Sequence, residues 1–192
     1  MLEIRIHGRG GQGVVTAAEL LSVAAFRDGH EAQAFPSFGS ERMGAPVMAF
    51  CRVSAHPIRL REPVVRPDAV IVSDATLLHH VDVFGGLSCD GYVLINSARP
   101  LHALGLAELE QRDDASRLVT VAATDLAREH LGRPLPNVCL LGAFAALTGV
   151  ISFAALESAV RERFVGTVAD GNVAAARAAY RSIRPAQEAL HA

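Results

Sequence analysis

The chain has 192 residues, of which 51% are hydrophobic, 20% are charged and 5% are aromatic, and its formal net charge is −2. This length suits one domain spanning residues 1–192, and the apolar fraction excludes a disordered chain. No run reaches the roughly 18 uncharged apolar residues that a membrane span needs, although the mean hydropathy is +0.27. Residues 1–5 also lack the pattern of a secretory signal. We therefore expect a cytoplasmic protein, unusually apolar for its size.

The basic residues and the cysteines exclude several kinds of site. All 18 basic residues are arginines, which excludes lysine Schiff-base chemistry and a P-loop lysine. They form no cluster that would indicate nucleic acid binding. Cys51, Cys89 and Cys139 are too far apart in sequence for the close-spaced cysteine sets that hold iron–sulfur clusters or structural zinc. We interpret all three as buried free thiols.

Apolar periodicity predicts strands that alternate with helices. Strands are expected at residues 2–6, 32–35, 47–53, 69–73, 92–96 and 118–121, with an edge continuation at 57–61. Helices are expected at residues 14–27, 124–131, 138–148, 153–164 and 173–183, with Ser152 capping the fourth and Asp170 or Asn172 capping the fifth. This alternation is typical of an α/β fold, a three-layer α/β/α sandwich around a mostly parallel, Rossmann-like sheet.

Polar residues follow several of the predicted strands, at the edge where ligands of open α/β sheets usually bind. The first strand leads into a glycine loop with the spacing G-x-G-x-x-G, and a helix follows. Its glycines allow a phosphate to approach the backbone, and the helix N-terminus favours its negative charge. The second strand, however, ends without the acidic residue that NAD binding requires. The loop, which consists of Gly8, Arg9, Gly10, Gly11, Gln12 and Gly13, is therefore either a phosphate or nucleotide site or a tight structural turn.

The sequence shows no motif that would carry out a reaction. The adjacent His79 and His80 would point apart on a helix, which argues against a shared metal. Residues 170–172 resemble the start of a thiamin diphosphate motif, but the asparagine that completes such a motif would lie beyond the chain. The sequence thus predicts a binding loop and neither a catalytic residue set nor a metal site.

The chain resembles the gamma subunit of the 2-oxoacid:ferredoxin oxidoreductase family, with the pyruvate enzymes most similar. The resemblance begins with residues 4–13 and 16–19 and continues in the family's order along nearly the whole chain. One departure is Met43, which stands where a second basic residue is expected after Glu41 and Arg42. The remaining matches are residues 34–36, 38–39, 44–47, 57–59, 67–68, 74, 76–78, 95–96, 132–134, 137 and 141–143.

The resemblance implies a subunit that is inactive alone, within a complex that oxidatively decarboxylates a 2-oxoacid. Alpha and beta subunits would hold thiamin diphosphate with magnesium, and a delta subunit would hold iron–sulfur clusters. Electrons would pass to ferredoxin, or to NAD through an extra flavin subunit, and coenzyme A would accept the acyl group. Pyruvate is the expected substrate, with phenylglyoxylate and 2-oxoglutarate as alternatives. A free-standing nucleotide-binding protein is the competing hypothesis.

Two expectations follow for the loop and for the surface. Coenzyme A carries a pyrophosphate and a ribose phosphate, so the glycine loop with Arg9 and Arg42 would hold its nucleotide end. Alternatively, the loop packs against a partner subunit and binds nothing. The apolar excess predicts an obligate interface that buries more than about 1,000 Å², and an isolated subunit that aggregates.

Overall fold

The described part of this computed structural model comprises residues 1–37, 43–111 and 114–190, without the side chains of 184–190, and it contains six strands and five α-helices. The strands are β1 (Leu2–Arg9), β2 (Glu31–Pro36), β3 (Pro46–Ser54), β4 (Ala69–Val72), β5 (Tyr92–Asn96) and β6 (Leu118–Val121). The helices are α1 (Val14–Arg27), α2 (Ala123–Leu131), α3 (Asn137–Thr148), α4 (Phe153–Arg163) and α5 (Gly166–Leu190). Of the described helices, none is long and apolar enough to cross a membrane.

The strands form one sheet in the order β2-β3-β1-β4-β5-β6. β1, β4, β5 and β6 run parallel to one another, whereas β3 lies antiparallel to both β1 and β2. The sheet is therefore mostly parallel, as predicted. The expected alternation is incomplete, because among the described α-helices only α1 lies between two strands, and short 3₁₀ helices connect β4 to β5 and β5 to β6. The carboxyl ends of β1, β4, β5 and β6 consequently meet at one edge, where the glycine loop begins.

All five α-helices contribute to the larger hydrophobic core, which lies on one face of the sheet. α3 and α5 approach each other very closely there. A Cβ on Gly142 would lie 2.1 Å from the carbonyl oxygen of Ala176, so only glycine fits at this crossing. Ser152 caps α4 as predicted, because its Oγ accepts from the backbone N–H of Ala155 at 3.0 Å.

The other face of the sheet has a thinner cover, made of short 3₁₀ helices and loops. A second core there joins apolar residues of β4, β5 and β6 to Leu77, Val83 and Leu101. This cover supplies the third layer of the predicted sandwich. On β1 the same face carries Glu3, Arg5, His7 and Arg9, because successive side chains of a strand alternate between faces. The short helices are Ala75–His79, His102–Leu104, Leu109–Gln111 and Ala115–Arg117.

Buried charge on this second face is held by specific partners. Arg52 is 2% exposed, and its Nε donates to Glu3 Oε1 at 2.7 Å while Nη2 donates to the carbonyl oxygen of Glu62 at 2.7 Å. Arg5 donates from Nη2 to the carbonyl oxygens of Val83 and Gly85. These contacts tie β1 and β3 to the loops that cover them.

Three expectations from the sequence are wrong. Residues 57–61 form no strand. The last helix starts seven residues earlier than predicted, at Gly166, so Asp170 and Asn172 lie inside α5 and do not cap it. Cys89 is exposed, whereas Cys51 and Cys139 are buried. Burial raises the pKa of both buried thiols to about 12, which makes them unreactive.

Candidate glycine-loop site at the carboxyl edge of the sheet

The glycine loop connects the end of β1 to the start of α1 and is anchored to the approach to β3. The backbone N–H of Gly10 donates to the carbonyl oxygen of Ala45 at 2.9 Å, and that of Gly44 donates to the carbonyl oxygen of Gly10 at 3.1 Å. The chain then turns through Gly11 and Gly13, which both have positive φ angles of 93° and 71°. The strand–turn–helix context predicted from the sequence is confirmed.

Contacts within the chain require two of the glycines. A Cβ on Gly8 would lie 2.5 Å from Val14 Cγ2, and one on Gly13 would lie 2.4 Å from Asn137 Nδ2. Real Cβ atoms do not reach such distances. Packing at the start of α1 and α3 therefore explains Gly8 and Gly13 without a ligand. A Cβ on Gly11 would meet only the flexible end of the Met43 side chain.

A network of polar side chains connects the loop to the segment that follows β4. Gln12 Oε1 accepts from the backbone N–H of Arg9 at 2.8 Å, and Gln12 Nε2 donates to Asp74 Oδ2 at 3.1 Å. Arg9 Nε also donates to Asp74 Oδ2 at 3.1 Å, while its Nη1 and Nη2 donate to the Gly44 carbonyl and to Thr76 Oγ1. Arg9 and Gln12 thereby connect the loop to the segment that follows β4.

The carboxylate of Asp74 is the centre of this network. Burial raises its pKa, but the hydrogen bonds from Thr76 and Gln12 and the charge of Arg9 outweigh burial and hold the pKa below its ordinary value. Asp74 therefore stays ionised at neutral pH. Its negative charge is compensated by Arg9 on the side that faces the loop.

A second network of hydrogen bonds joins the ends of the neighbouring strands at the same edge. Asn96 Nδ2 donates to the carbonyl oxygen of Ser73 at 2.8 Å and to Thr124 Oγ1 at 2.7 Å, while Asn96 Oδ1 accepts from the Thr124 backbone at 3.1 Å. Ser73 follows β4, Asn96 is the last residue of β5, and Thr124 lies at the start of α2 after β6. They fix the edge and leave the glycine loop as its open part.

The start of α1 is open to an anion. Gly13 adopts a left-handed conformation, no described side chain caps the helix, and its first turn has no acidic residue. The first N–H groups of a helix have no partner within it, and they favour negative charge. Val14, Val15 and Thr16, the first three residues of α1, line a cleft of about 320 Å³ together with Arg9, Gly10 and Gly11.

The structure thus brings together six of the seven predicted site residues, and Arg42 lies outside the described residues. Asp74 and Asn137 support the loop through contacts that no pattern in the sequence indicated. Within the described ranges, no group of three or more His, Cys, Asp or Glu side chains is arranged to hold a metal ion.

Comparison with known proteins gives the class of this chain. The family model for pyruvate ferredoxin/flavodoxin oxidoreductase matches residues 3–182. The chain is 49% identical over 184 residues to pyruvate synthase subunit PorC of Methanothermobacter marburgensis, which covers 96% of this chain and 98% of that protein. It is 45% identical over 180 residues to the common gamma subunit of the pyruvate/ketoisovalerate oxidoreductases of Pyrococcus abyssi. This match covers 94% of this chain and 96% of that protein.

A solved structure agrees with these relatives. The pyruvate oxidoreductase subunit PORC of Thermotoga maritima matches this fold with a TM-score of 0.79 and 36% sequence identity, covering 94% of this chain and 95% of that one. The chain therefore belongs to the pyruvate ferredoxin/flavodoxin oxidoreductase family. Within that family it is of the gamma type, a subunit of an oxidoreductase complex.

Proposed function

We propose that the chain is the single-domain, noncatalytic gamma subunit of a cytoplasmic, thiamin diphosphate-dependent pyruvate:ferredoxin oxidoreductase. The reaction converts pyruvate, coenzyme A and two oxidised ferredoxins into acetyl-coenzyme A, CO₂, one proton and two singly reduced ferredoxins. The names of the relatives support the pyruvate assignment. Thiamin diphosphate, magnesium and the clusters are assigned to alpha, beta and delta partners, as the resemblance to the family implies.

The role proposed for this chain is to hold the nucleotide end of coenzyme A. The observation that carries it is the uncapped start of α1, which opens into a cleft beside Arg9. A helix N-terminus preceded by glycines is suited to a pyrophosphate, since its N–H groups donate to phosphate oxygens. Asp74 lies behind Arg9 and Gln12, so its charge is compensated before it meets the ligand. The start of α1 then offers the N–H donors and the partial positive charge of a helix N-terminus.

An alternative role for the loop is contact with a partner subunit. Met43 is 86% exposed, and its side chain lies against the position of Gly11. An exposed methionine beside a glycine turn is well suited to an apolar contact. Under this alternative the loop fits a partner surface and no anion enters the cleft.

Replacing Thr16 by Glu or by Gln in the assembled complex distinguishes the two roles. Thr16 occupies the third position of α1, where a carboxylate stabilises a helix. Its charge would repel a bound phosphate, so the KM for coenzyme A of the Glu variant should exceed that of the size-matched Gln variant by about 10-fold or more, equivalent to about 1.4 kcal/mol. The KM for pyruvate should be the same in both variants.

The comparison of the two variants also shows when the coenzyme A role fails. Equal KM values for coenzyme A in the Glu and Gln variants would contradict an anion in the cleft. Equal loss of assembly in both variants, measured by the amount of gamma subunit that co-purifies with its partners, would favour the partner contact.

The choice of 2-oxoacid is assigned to the partner subunits. The Pyrococcus abyssi relative is named as common to pyruvate and ketoisovalerate oxidoreductases, which supports a gamma subunit that does not select the substrate. We therefore expect substitutions in the glycine loop to change the KM for coenzyme A by the same factor whichever 2-oxoacid is supplied. Steady-state kinetics of the Thr16→Glu variant with pyruvate and with 2-oxoisovalerate would measure this. A change that occurs with only one of the two acids would contradict it.

A further inference from the structure

A groove lies on the second face of the sheet and shares no lining residue with the glycine-loop cleft. It has a volume of about 440 Å³. Arg5 of β1 and Phe50 and Met48 of β3 line it, and they share this face because Arg5 pairs with Phe50 and His7 with Met48 in the ladder. We call it the Arg5 groove. Its remaining lining residues are Ser37, Pro63, Val64, Val65, Arg66, Asp82, Gly85 and Gly86.

Contacts within the chain hold the two walls of the Arg5 groove in place. Arg5 Nη2 donates to the carbonyl oxygen of Val83 at 3.0 Å and to that of Gly85 at 2.6 Å. Gly86 has a φ of 75°, and a Cβ there would lie 2.2 Å from the carbonyl oxygen of Val65. The backbones of the two walls therefore touch, and the groove is formed before any occupant enters it.

Arg5 has hydrogen-bond donors that the described structure leaves unused. The residue is 8% exposed, and its Nε is buried without a hydrogen-bond partner. Nη1 also donates to no described residue. Burial lowers the pKa of this guanidinium, and the nearby charge of Asp82 opposes that effect without forming an ion pair with Arg5 among the described contacts. Since unsatisfied donors of a buried charge cost free energy, the groove is suited to an acceptor from another molecule.

The other lining residues combine positive charge with apolar surface. The ionisable residues of the lining are Arg5, Arg66 and Asp82, which give the groove a net positive charge. Val65 at the rim is 71% exposed. An exposed apolar side chain beside arginine is typical of a protein interface. A small carboxylic acid in the groove would leave Val65 in water, whereas a docked chain would cover it.

Positive charge continues along the segment that leads into the groove. Residues 57–66 contain Arg59, Arg61 and Arg66, all exposed, and a single acidic residue, Glu62. No described carboxylate pairs with these three arginines. The whole chain has a net charge of −2, so this positive surface is local. Its electrostatic complement is an acidic segment.

We propose that the Arg5 groove docks an extended acidic segment of another subunit of the oxidoreductase complex. A carboxylate of that segment binds Arg5 and Arg66, since guanidinium and carboxylate groups form strong charge-assisted hydrogen bonds. An adjacent apolar side chain packs against Phe50 and Val64, as anchors at the centre of an interface do. This inference rests on membership of the complex and is independent of the role in coenzyme A binding.

Photo-cross-linking in the assembled complex tests which molecule occupies the groove. Benzoylphenylalanine replaces Val65, whose exposed side chain tolerates a larger group, and mass spectrometry identifies the linked peptide. We expect the peptide to come from another subunit and to contain Asp or Glu within two residues of an apolar side chain. Cross-links only to this chain or to a second copy of it, or no cross-link at all, would overturn the proposal.

The size-matched variants Val65→Glu and Val65→Gln test the charge of the occupant. The added carboxylate would repel a docked carboxylate, so half of the gamma subunit should dissociate from the Glu complex at a concentration about 10-fold or more above that for the Gln complex. This difference should decrease as the salt concentration rises. Changing the cross-linked Asp or Glu of the partner to Lys should restore association with the Glu variant.

Arg128→Glu is the control, because it adds the same negative charge on α2 outside the groove and should dissociate like the wild type. Equal dissociation of the Val65→Glu and Val65→Gln complexes would contradict an acidic occupant. If those two are equal while Thr16→Glu raises the KM for coenzyme A, the docking assignment fails and the glycine-loop function stands. If they differ while Thr16→Glu has no effect, the docking assignment stands and the coenzyme A role fails.

Discussion

Replacing Gly142 by Ala is expected to disrupt the packing of α3 against α5 and to lower the free energy of unfolding by about 3 kcal/mol. The added methyl group would lie 2.1 Å from the carbonyl oxygen of Ala176 and 2.7 Å from its Cα, so backbone atoms must move apart. Alanine is the better helix former by about 1 kcal/mol, and this gain is too small to offset the clash. The thermal midpoint of the complex and hydrogen exchange in α3 and α5 would measure the effect.

Gly149→Ala is the matched control on the same helix. Gly149 caps α3 with a φ of 64°, and a Cβ there would meet no atom within 4 Å. Its substitution introduces backbone strain of roughly 1–2 kcal/mol and no steric clash. If Gly142→Ala costs no more than Gly149→Ala, the close approach of α3 and α5 is not as described.

Acidification is expected to destabilise this subunit through His7. His7 is 2% exposed on the second face of the sheet, and burial, followed by the charge of Arg5, lowers its pKa to about 4 against the opposing effect of Asp82. The unfolded chain takes up a proton near pH 6.5, whereas the folded chain does so only near pH 4. The stabilisation is therefore complete above pH 6.5 and lost as the pH falls to 4, a change of about 3 kcal/mol.

The His7→Met variant, of similar size and without a titratable group, isolates this effect. The thermal midpoint of the wild type minus that of the variant should decrease as the pH falls from 7 to 4, because only the wild type loses the contribution of the neutral histidine. Subtracting the two profiles removes the contributions of other groups that titrate in this range. A difference that does not depend on pH would contradict a buried neutral histidine.

Periodicity was sufficient to predict the layers of the fold but not the start of its last helix. The helix at residues 14–27 and the strands at 92–96 and 118–121 were predicted with the bounds that the structure has, because their apolar patterns are unbroken. The residues before 173 suggested a turn, since Gly171 stands beside Asp170 and Asn172. In the structure Gly171 lies inside α5 and packs against the end of α2, since a Cβ there would lie 2.8 Å from the carbonyl oxygen of His130. Contact with α2 thus outweighs local propensity.

The edge strand expected at residues 57–61 is a case in which periodicity predicted an element that the structure does not have. Alternating apolar residues suggested a strand there, but a strand requires a neighbour for its backbone, and β2 already occupies the edge beside β3. Local pattern does not reveal which partner is available. Residues 57–61 are outside any strand, and Glu62, which follows them, accepts a hydrogen bond from Arg52 through its carbonyl oxygen.

The position of the glycine loop could be predicted from the sequence, but the residues that contact the loop could not. The spacing of the glycines identified residues 8–13, yet the contact between Arg9 and Asp74 joins residues 65 apart and depends on the register of β1 with β4. Arg133 and Arg163 likewise meet at one cavity only because α2, α4 and α5 converge there.

The measurement that most directly tests the central claim is purification of the tagged chain from its native cells, followed by assay against a panel of 2-oxoacids. We expect a stable complex with alpha, beta and delta subunits that contains thiamin diphosphate and iron–sulfur clusters. It should reduce ferredoxin when pyruvate and coenzyme A are both present. A stable monomer that binds NAD without partners, in fractions with no 2-oxoacid-dependent reduction, would contradict the account.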